Sequence, residues 1–365
     1  MPNLLVTGGA GFIGTNFVYY WKKKYPDDRV VVLDALTYAG NPDNLEKIKD
    51  RPGFYFVHGN ILDQAMVETL IKDHGIDTMV HFAAESHVDR SILGPDEFIQ
   101  TNIVGTHSLL KAAKSCWLDR GTGQPHRFHH VSTDEVYGTL GKTESPFCET
   151  TPYAPNSPYA ASKAASDHLV RAYHETYGLG VTTSNCSNNF GPFQFPEKLI
   201  PLCIANILNQ KPLPVYGDGR QIRDWLYVDD HNIGVDLILN HGKIGQTYNI
   251  GGNNEKTNVE IVNTICQCID QRFDQDSELG RRFAKAPPAK GEPSASLITH
   301  VKDRAGHDRR YAIDPGKIQS QLGYAPSFCF ESAIETTIDW YLDHESWWKK
   351  LMEKSSLSST GKSQV

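Results

Sequence analysis

The chain has 365 residues, which at roughly 150 residues per domain points to about two structural units. Thirty-six basic against 43 acidic residues leave a net charge of −7, so the basic footprint that nucleic acid or an anionic membrane requires is missing. The composition, 39% hydrophobic and 22% charged, is ordinary for a globular protein, and no apolar run reaches the roughly 18 residues of a membrane-crossing helix.

Taken in chain order, residues 4–6 read as a strand running into Gly8, and 12–24 as the helix that follows. Short apolar runs recur at 30–33, 54–57, 78–82 and 128–132, separated by longer helical patterns, notably over 98–118. Short strands alternating with long helices predict βαβ units and a parallel sheet. The strands are almost continuously apolar, as strands covered on both faces are. Helices are further predicted over 159–177, 198–210, 228–240 and 258–273, with sparser strands between them, and 283–304 reads as an irregular crossing. The expected fold class is α/β: a Rossmann-type doubly wound parallel sheet with a smaller C-terminal α/β substrate-binding lobe. The first unit is expected over 1–190, with later segments returning to it, and the lobe mainly over 191–354. A Ser/Gly/Lys-rich, disordered tail is expected over 355–365. The seven cysteines are scattered, and no leader pattern precedes the first strand, so reduced thiols and a cytoplasmic location are expected.

Three motifs carry chemistry. Gly8, Gly11 and Gly14 lie between a strand and a helix, the spacing that lets a pyrophosphate approach backbone N–H groups at a helix N-terminus. Asp34 ends the second strand, 20 residues beyond Gly14. A carboxylate there accepts from the ribose hydroxyls and repels a 2′-phosphate, which favours NAD over NADP. Tyr159 and Lys163 stand four apart behind Pro158, on one face of a predicted helix. An ammonium beside a phenol lowers its proton affinity, so the pair suits removal of an alcohol proton. By itself such a spacing is common on surfaces; behind a dinucleotide fingerprint it is not. Finally, Thr133, Asp134 and Glu135 follow the fifth apolar run, where parallel sheets bind ligands. Adjacent carboxyls do not ionise equally easily, which suits Asp134 as an acid and Glu135 as a base.

These motifs together resemble the extended short-chain dehydrogenase/reductases, and the full set resembles their dTDP-glucose 4,6-dehydratase family. The likeness runs from residue 4 to about residue 340 and takes in the stretches 34–41, 83–91, 132–138, 188–192, 196–201, 214–217, 223–225 and 303–311. It implies an NAD-dependent hydro-lyase converting dTDP-glucose to dTDP-4-dehydro-6-deoxyglucose and water. Tyr159 would deprotonate the 4-hydroxyl as hydride passes to NAD, and Lys163 would tune Tyr159 and hold the nicotinamide ribose. Thr133 would bond the reacting hydroxyl, Glu135 would take the C5 proton and Asp134 would protonate the departing 6-hydroxyl. The cofactor, restored in each cycle, would stay bound.

The resemblance also implies NAD contacts at Gly8, Gly11, Phe12, Ile13, Gly14, Asp34, Ala35, Leu36, Thr37, Asn60, Ile61, Ala83, Ala84, Ser86, Thr101, Tyr159, Lys163 and Asn189. Sugar-nucleotide contacts are implied at Ser86, Thr133, Asn188, Glu197, Lys198, Leu199, Pro214, Tyr216, Arg223, Asn258, Asp303, Arg304 and His307, with Arg223 suited to the diphosphate. No metal site is implied. Asn60 stands where the family has Asp, Ala305 where it has Pro, and Phe190 and Phe193 where Tyr is common. Family members are usually homodimers joined through two helices per subunit, which 98–118 and 159–177 would supply. The competing readings are a UDP-glucose 4,6-dehydratase or other NAD-dependent nucleotide-sugar epimerase or dehydratase, and a dinucleotide-binding protein without catalysis.

Overall fold

The computed structural model describes residues 2–121, 125–304 and 306–360, with side chains up to 353. The strands are β1 (Asn3–Thr7), β2 (Arg29–Asp34), β3 (Phe54–His58), β4 (Thr78–His81), β5 (Arg127–Thr133), β6 (Val181–Cys186), β7 (Asn188–Phe190), β8 (Leu213–Tyr216), β9 (Ile222–Tyr227), β10 (Thr247–Ile250), β11 (Glu255–Thr257) and β12 (Ile298–Val301). Seven of them form one sheet in the order β10-β6-β5-β4-β1-β2-β3, with every adjacent pair parallel. The order reverses between β1 and β4, so the loops after these strands diverge and open a crevice at their carboxyl ends.

Helices cover both faces because the strands are apolar on both. Val30 and Val32 pack with Phe17, Trp21 and Ile238 on one side. Val31 and Leu33 pack with Ile71, Leu109 and Leu110 on the other. The helix Val228–His241 and β10 return to this sheet after the chain has left it. The second lobe has its own core, in which Ile204, Ile265, Ile338 and Trp348 meet. It carries the sheets β11-β9-β7 and β12-β8. β7 follows β6 directly and leads the chain from the main sheet into the lobe.

Several elements depart from the sequence-based expectation. β6 has no apolar run: it reads Val-Thr-Thr-Ser-Asn-Cys, yet all six residues are buried. Two of its three hydroxyls meet a buried imidazole, with His129 Nδ1 3.0 Å from Thr182 Oγ1 and Nε2 3.1 Å from Ser184 Oγ. The helical stretch predicted over 98–118 runs over 96–119 and widens to π turns at Ile99–Gly105 and Ser115–Asp119. The first π turn carries Asn102, whose side chain bonds Glu85 N, Glu85 O and Ser162 Oγ at 2.9, 3.0 and 2.8 Å. The crossing at 283–304, expected to be irregular, carries two short 3₁₀ turns, Pro287–Lys290 and Ser294–Leu297, and then β12, which pairs in parallel with β8. The helix Glu345–Thr360 runs through the first part of the expected disordered tail; residues 361–365 and Ala305 lie outside the described residues.

Candidate active site

Two neighbouring clefts, of about 310 and 230 Å³, open above the carboxyl ends of the strands. The first is built on backbone. Gly8 adopts φ +72°, and a Cβ there would lie 2.6 Å from Ala83 N; a Cβ on Gly14 would lie 2.3 Å from Gly8 O. Only glycine allows this turn and the close approach of helix to strand. No side chain caps the helix Phe12–Lys24 at Gly11, so its first N–H groups and positive dipole end face the cleft. Asp34 ties the turn together: Oδ2 accepts from Ala10 N at 2.9 Å and Oδ1 from Leu36 N at 2.8 Å. The cleft wall also carries Ala35, Thr37, Asn60, Ile61, Ala83, Ala84, Ser86, Thr101 and Asn189. This glycine cradle, with the Asp34 carboxylate at the end of β2 beside it, suits an adenine dinucleotide without a 2′-phosphate.

One implied cofactor contact is not placed there. Leu36 does not line the cleft; it takes φ +51° and packs against the apolar layer beneath, leaving only its N–H to hold Asp34. Asn60 lines the cleft, but its Oδ1 already accepts from Leu62 N at 3.0 Å.

The floor of the first cleft is reactive in character. β5 ends where Thr133 Oγ1 accepts from Glu135 N at 3.3 Å, capping a short 3₁₀ turn over Asp134–Tyr137. The turn aims both carboxyls into the cavity. The helix Pro158–Tyr177 starts beside it, with Ser157 Oγ accepting from Ala160 N at 3.1 Å and Pro158 in its first turn. Tyr159, Lys163, Thr133, Asp134 and Glu135 therefore line one cavity, although they come from two segments.

Their electrostatics differ. Burial raises the Asp134 carboxyl well above the usual range, and the neighbouring carboxyls of Glu135 and Asp224 raise it further. Burial also raises Glu135, but Arg223, Lys198 and Arg304 pull it back towards the ionised form. The two acids thus lean towards opposite roles. The expectation that Lys163 depresses the Tyr159 phenol is corrected here. Burial and the Glu135 charge raise Tyr159 well above its ordinary value, with a Thr133 hydrogen bond acting the other way. Lys163 instead donates to Val131 O at 2.9 Å.

The second cleft is built from side chains of distant segments. Glu197, Leu199, Pro214, Tyr216, Arg223, Asn258, Arg304 and His307 line it, while Ser86, Glu135, Asn188, Asn189, Gln194 and Lys198 line both clefts. Glu135 therefore sits at their junction. Among the described residues, Asn188 Oδ1, Gln194 Oε1, Arg304 Nε and His307 Nε2 are buried without a hydrogen-bond partner; such groups mark a polar ligand's place. Arg223 stacks 4.1 Å from the Tyr311 ring and donates to Ile222 O and Asp308 O, so part of its fork is spent on the lobe itself. Asp303 does not line the cleft: it orients His307, with Oδ1 2.6 Å from Nδ1, and accepts from Gln221 Nε2 at 3.0 Å. Sequence reasoning did not single out Glu85, Gln194, Cys186 or Tyr311, which also line the clefts. Of these Glu85 and Tyr311 had a signal, their places inside the stretches 83–91 and 303–311.

The GDP-mannose 4,6 dehydratase family model matches residues 5–337. A dTDP-glucose 4,6-dehydratase of Xanthomonas campestris pv. campestris is 54% identical over 357 residues, 97% of each chain; one of Escherichia coli K12 is 50% identical, covering 94% of each. The crystal structure of dTDP-glucose 4,6-dehydratase from Streptomyces venezuelae with NAD and TYD bound matches with TM-score 0.84 at 45% identity, covering 96% of this chain and 99% of that one. Glycine cradle, carboxyl pair and Tyr-Lys helix agree with these matches, and the chain belongs to the dTDP-glucose 4,6-dehydratases within the GDP-mannose 4,6 dehydratase family.

Proposed function

We propose that the protein converts dTDP-glucose to dTDP-4-dehydro-6-deoxyglucose and water, using bound NAD. The observation that carries this reading is the position of Glu135 at the junction of the two clefts, beside Asp134 and in one cavity with Tyr159. A hexose reaching in from the second cleft meets the acid, the base and the phenol together.

NAD bound in the first cleft would supply an acceptor, and later a donor, of hydride; Gly8, Gly11, Gly14, Asp34 and Lys163 would hold it. Tyr159 takes the proton of the 4-hydroxyl, with Thr133 placing that oxygen. The phenol's high proton affinity makes it a poor base until positive charge is added nearby, which ties its reactivity to a loaded cofactor cleft. Oxidation at C4 acidifies the C5 proton, and Glu135, steadied as a carboxylate by three cations, removes it. Asp134, held protonated by burial, gives its proton to the C6 oxygen as water leaves. Arg304, His307 and Asn188 offer donors and acceptors to the sugar nucleotide.

The test is product identification by NMR after incubation with dTDP-glucose and, separately, UDP-glucose. A 4-keto-6-deoxy product from dTDP-glucose supports the reading. A galactose-configured product, or turnover of UDP-glucose alone, sinks it. The exposed Ile92, Leu93, Ile99 and Val104 on neighbouring helical turns support a homodimer; sedimentation as a single monomer in equilibrium ultracentrifugation would count against it. The seven free cysteines support a reducing, cytoplasmic setting.

A further inference from the structure

Behind the Tyr-Lys pair lies an acid that none of the steps above uses. Asp167 stands one helical turn beyond Lys163, on the same face of the helix Pro158–Tyr177, and is 6% exposed. Its Oδ2 accepts from Ser132 Oγ at 2.9 Å, and Ser132 precedes Thr133, Asp134 and Glu135 on β5. Its Oδ1 lies 3.0 Å from His130 Nε2. A single carboxylate thus touches the strand that carries the acid and base, from the helix that carries the phenol and amine.

We infer that Asp167 is a positioning residue for the reaction: it is the buried counter-ion of Lys163 and the tie that holds the helix of Tyr159 against the end of β5. The inference rests on the dehydratase reading given above.

The surroundings support a counter-ion. Burial works against the Lys163 charge, and the groups that favour it are the Asp167 carboxyl and, less, the Cys186 thiol. The other ionisable groups around the pair do not replace Asp167. On β4 and β5, His81 and His130 are fully buried and held far below their ordinary value, so neither carries charge at neutral pH. Cys186 on β6 is pushed up to about 12 and stays a thiol. Tyr153, raised by burial and so a neutral phenol, hydrogen-bonds Asp167, and both it and His168 favour the carboxylate form. Asp167 itself is raised by burial to about 6, with Lys163 and the Ser132 hydroxyl holding it down, so it is mainly ionised at neutral pH.

The signs follow. Without the carboxylate charge, the Lys163 proton is lost at lower pH, so the alkaline limb of the rate profile moves down. Without the Ser132 hydroxyl, Asp167 takes up its proton at higher pH, so the acid limb moves up.

The experiment compares wild type, Asp167→Asn and Ser132→Ala on dTDP-glucose across pH, together with NAD binding to cofactor-stripped protein, read by tryptophan fluorescence, and Tm. In Asp167→Asn we expect the alkaline limb of kcat to move down by about one pH unit, kcat above the wild-type limb to fall about tenfold, and NAD affinity to weaken over the same alkaline range. KM is expected to change less than kcat. Ser132→Ala is expected to move the acid limb up while leaving the alkaline limb in place. A purely structural role would lower Tm and move neither limb. An alkaline limb unchanged in Asp167→Asn overturns the inference, and so does an unchanged acid limb in Ser132→Ala, the deciding result should Asp167→Asn fail to fold. Absence of turnover in the wild type would instead remove the dehydratase reading, while the pH dependence of NAD binding would still decide the role of Asp167.

Discussion

The two clefts are made of different material. The first is shaped by main chain, with Gly8 and Gly14 so close to neighbouring backbone that no side chain fits; its specificity for a dinucleotide lies in a turn of seven consecutive residues and one carboxylate. The second is shaped by side chains brought from 86 to 311 in the sequence, several with buried polar atoms left without a partner. A backbone-built site has little to adjust: changing it either fits or disrupts packing. A side-chain-built site can be altered one contact at a time. Chemistry is placed at the seam, where Glu135 faces both.

The sharpest probe of that seam is the double change Asp134→Asn with Glu135→Gln, expected to lower turnover about a thousandfold while leaving both clefts intact. Oxidation at C4 should persist, so absorbance of reduced cofactor should accumulate when dTDP-glucose is added; undiminished product formation would show that the seam is not the reactive centre. Next in size is Gly14→Ala. Its Cβ would meet Gly8 O at 2.3 Å, so the turn must open, at a cost of about 2 kcal/mol or more in stability. Purified protein should lose most of its bound NAD, measured by release on denaturation. Retained NAD would break the contrast between the clefts.

In the second cleft, Arg304→Ala removes a buried Nε without a partner and the contact of Nη1 with Asp89 at 3.2 Å. KM for dTDP-glucose should rise about tenfold with bound NAD unchanged, a split that the backbone-built site cannot show. The smallest effect concerns pH and stability. Glu85, 6% exposed at the first cleft, is raised by burial to about 7. The folded state therefore holds this proton more tightly than the unfolded chain, whose glutamate titrates near 4.3. The associated stability is fully present below about pH 4 and is lost as pH rises through about 7. Glu85→Gln should abolish that loss, so that in cofactor-stripped protein the Tm of the variant gains on wild type between pH 5 and 8, by about 1 kcal/mol in stability; a constant Tm difference across this range would show that the cleft leaves Glu85 fully solvated.

How much could be read in advance follows the same division. The strands β1, β2, β4 and β5 and the glycine turn between β1 and its helix were legible, because buried parallel strands are continuously apolar and a pyrophosphate turn needs glycine at fixed spacing. Thr133, Asp134, Glu135, Tyr159 and Lys163 were legible as short local patterns. β6 was not: its buried threonines and serine look like surface residues, and the partner of Thr182 and Ser184 is the His129 ring on the neighbouring strand, far away in the sequence. Leu36 and Asp303 look like contacts in a linear reading, yet neither lines a cleft: the Leu36 N–H holds Asp34, and the exposed Asp303 holds His307.

By itself, then, the sequence determined the parallel α/β sheet, the dinucleotide turn and the identity of the reactive side chains, since each depends on neighbours a few residues apart. Tertiary structure alone decided how strongly burial acts on Asp134 and how far basic side chains offset it at Glu135, that Tyr159 is a suppressed base, and that Asp167 stands behind Lys163. Burial and the approach of Arg223, Lys198 and Arg304 set those properties, and proton affinity follows the charge and solvent around a group rather than its place in the chain.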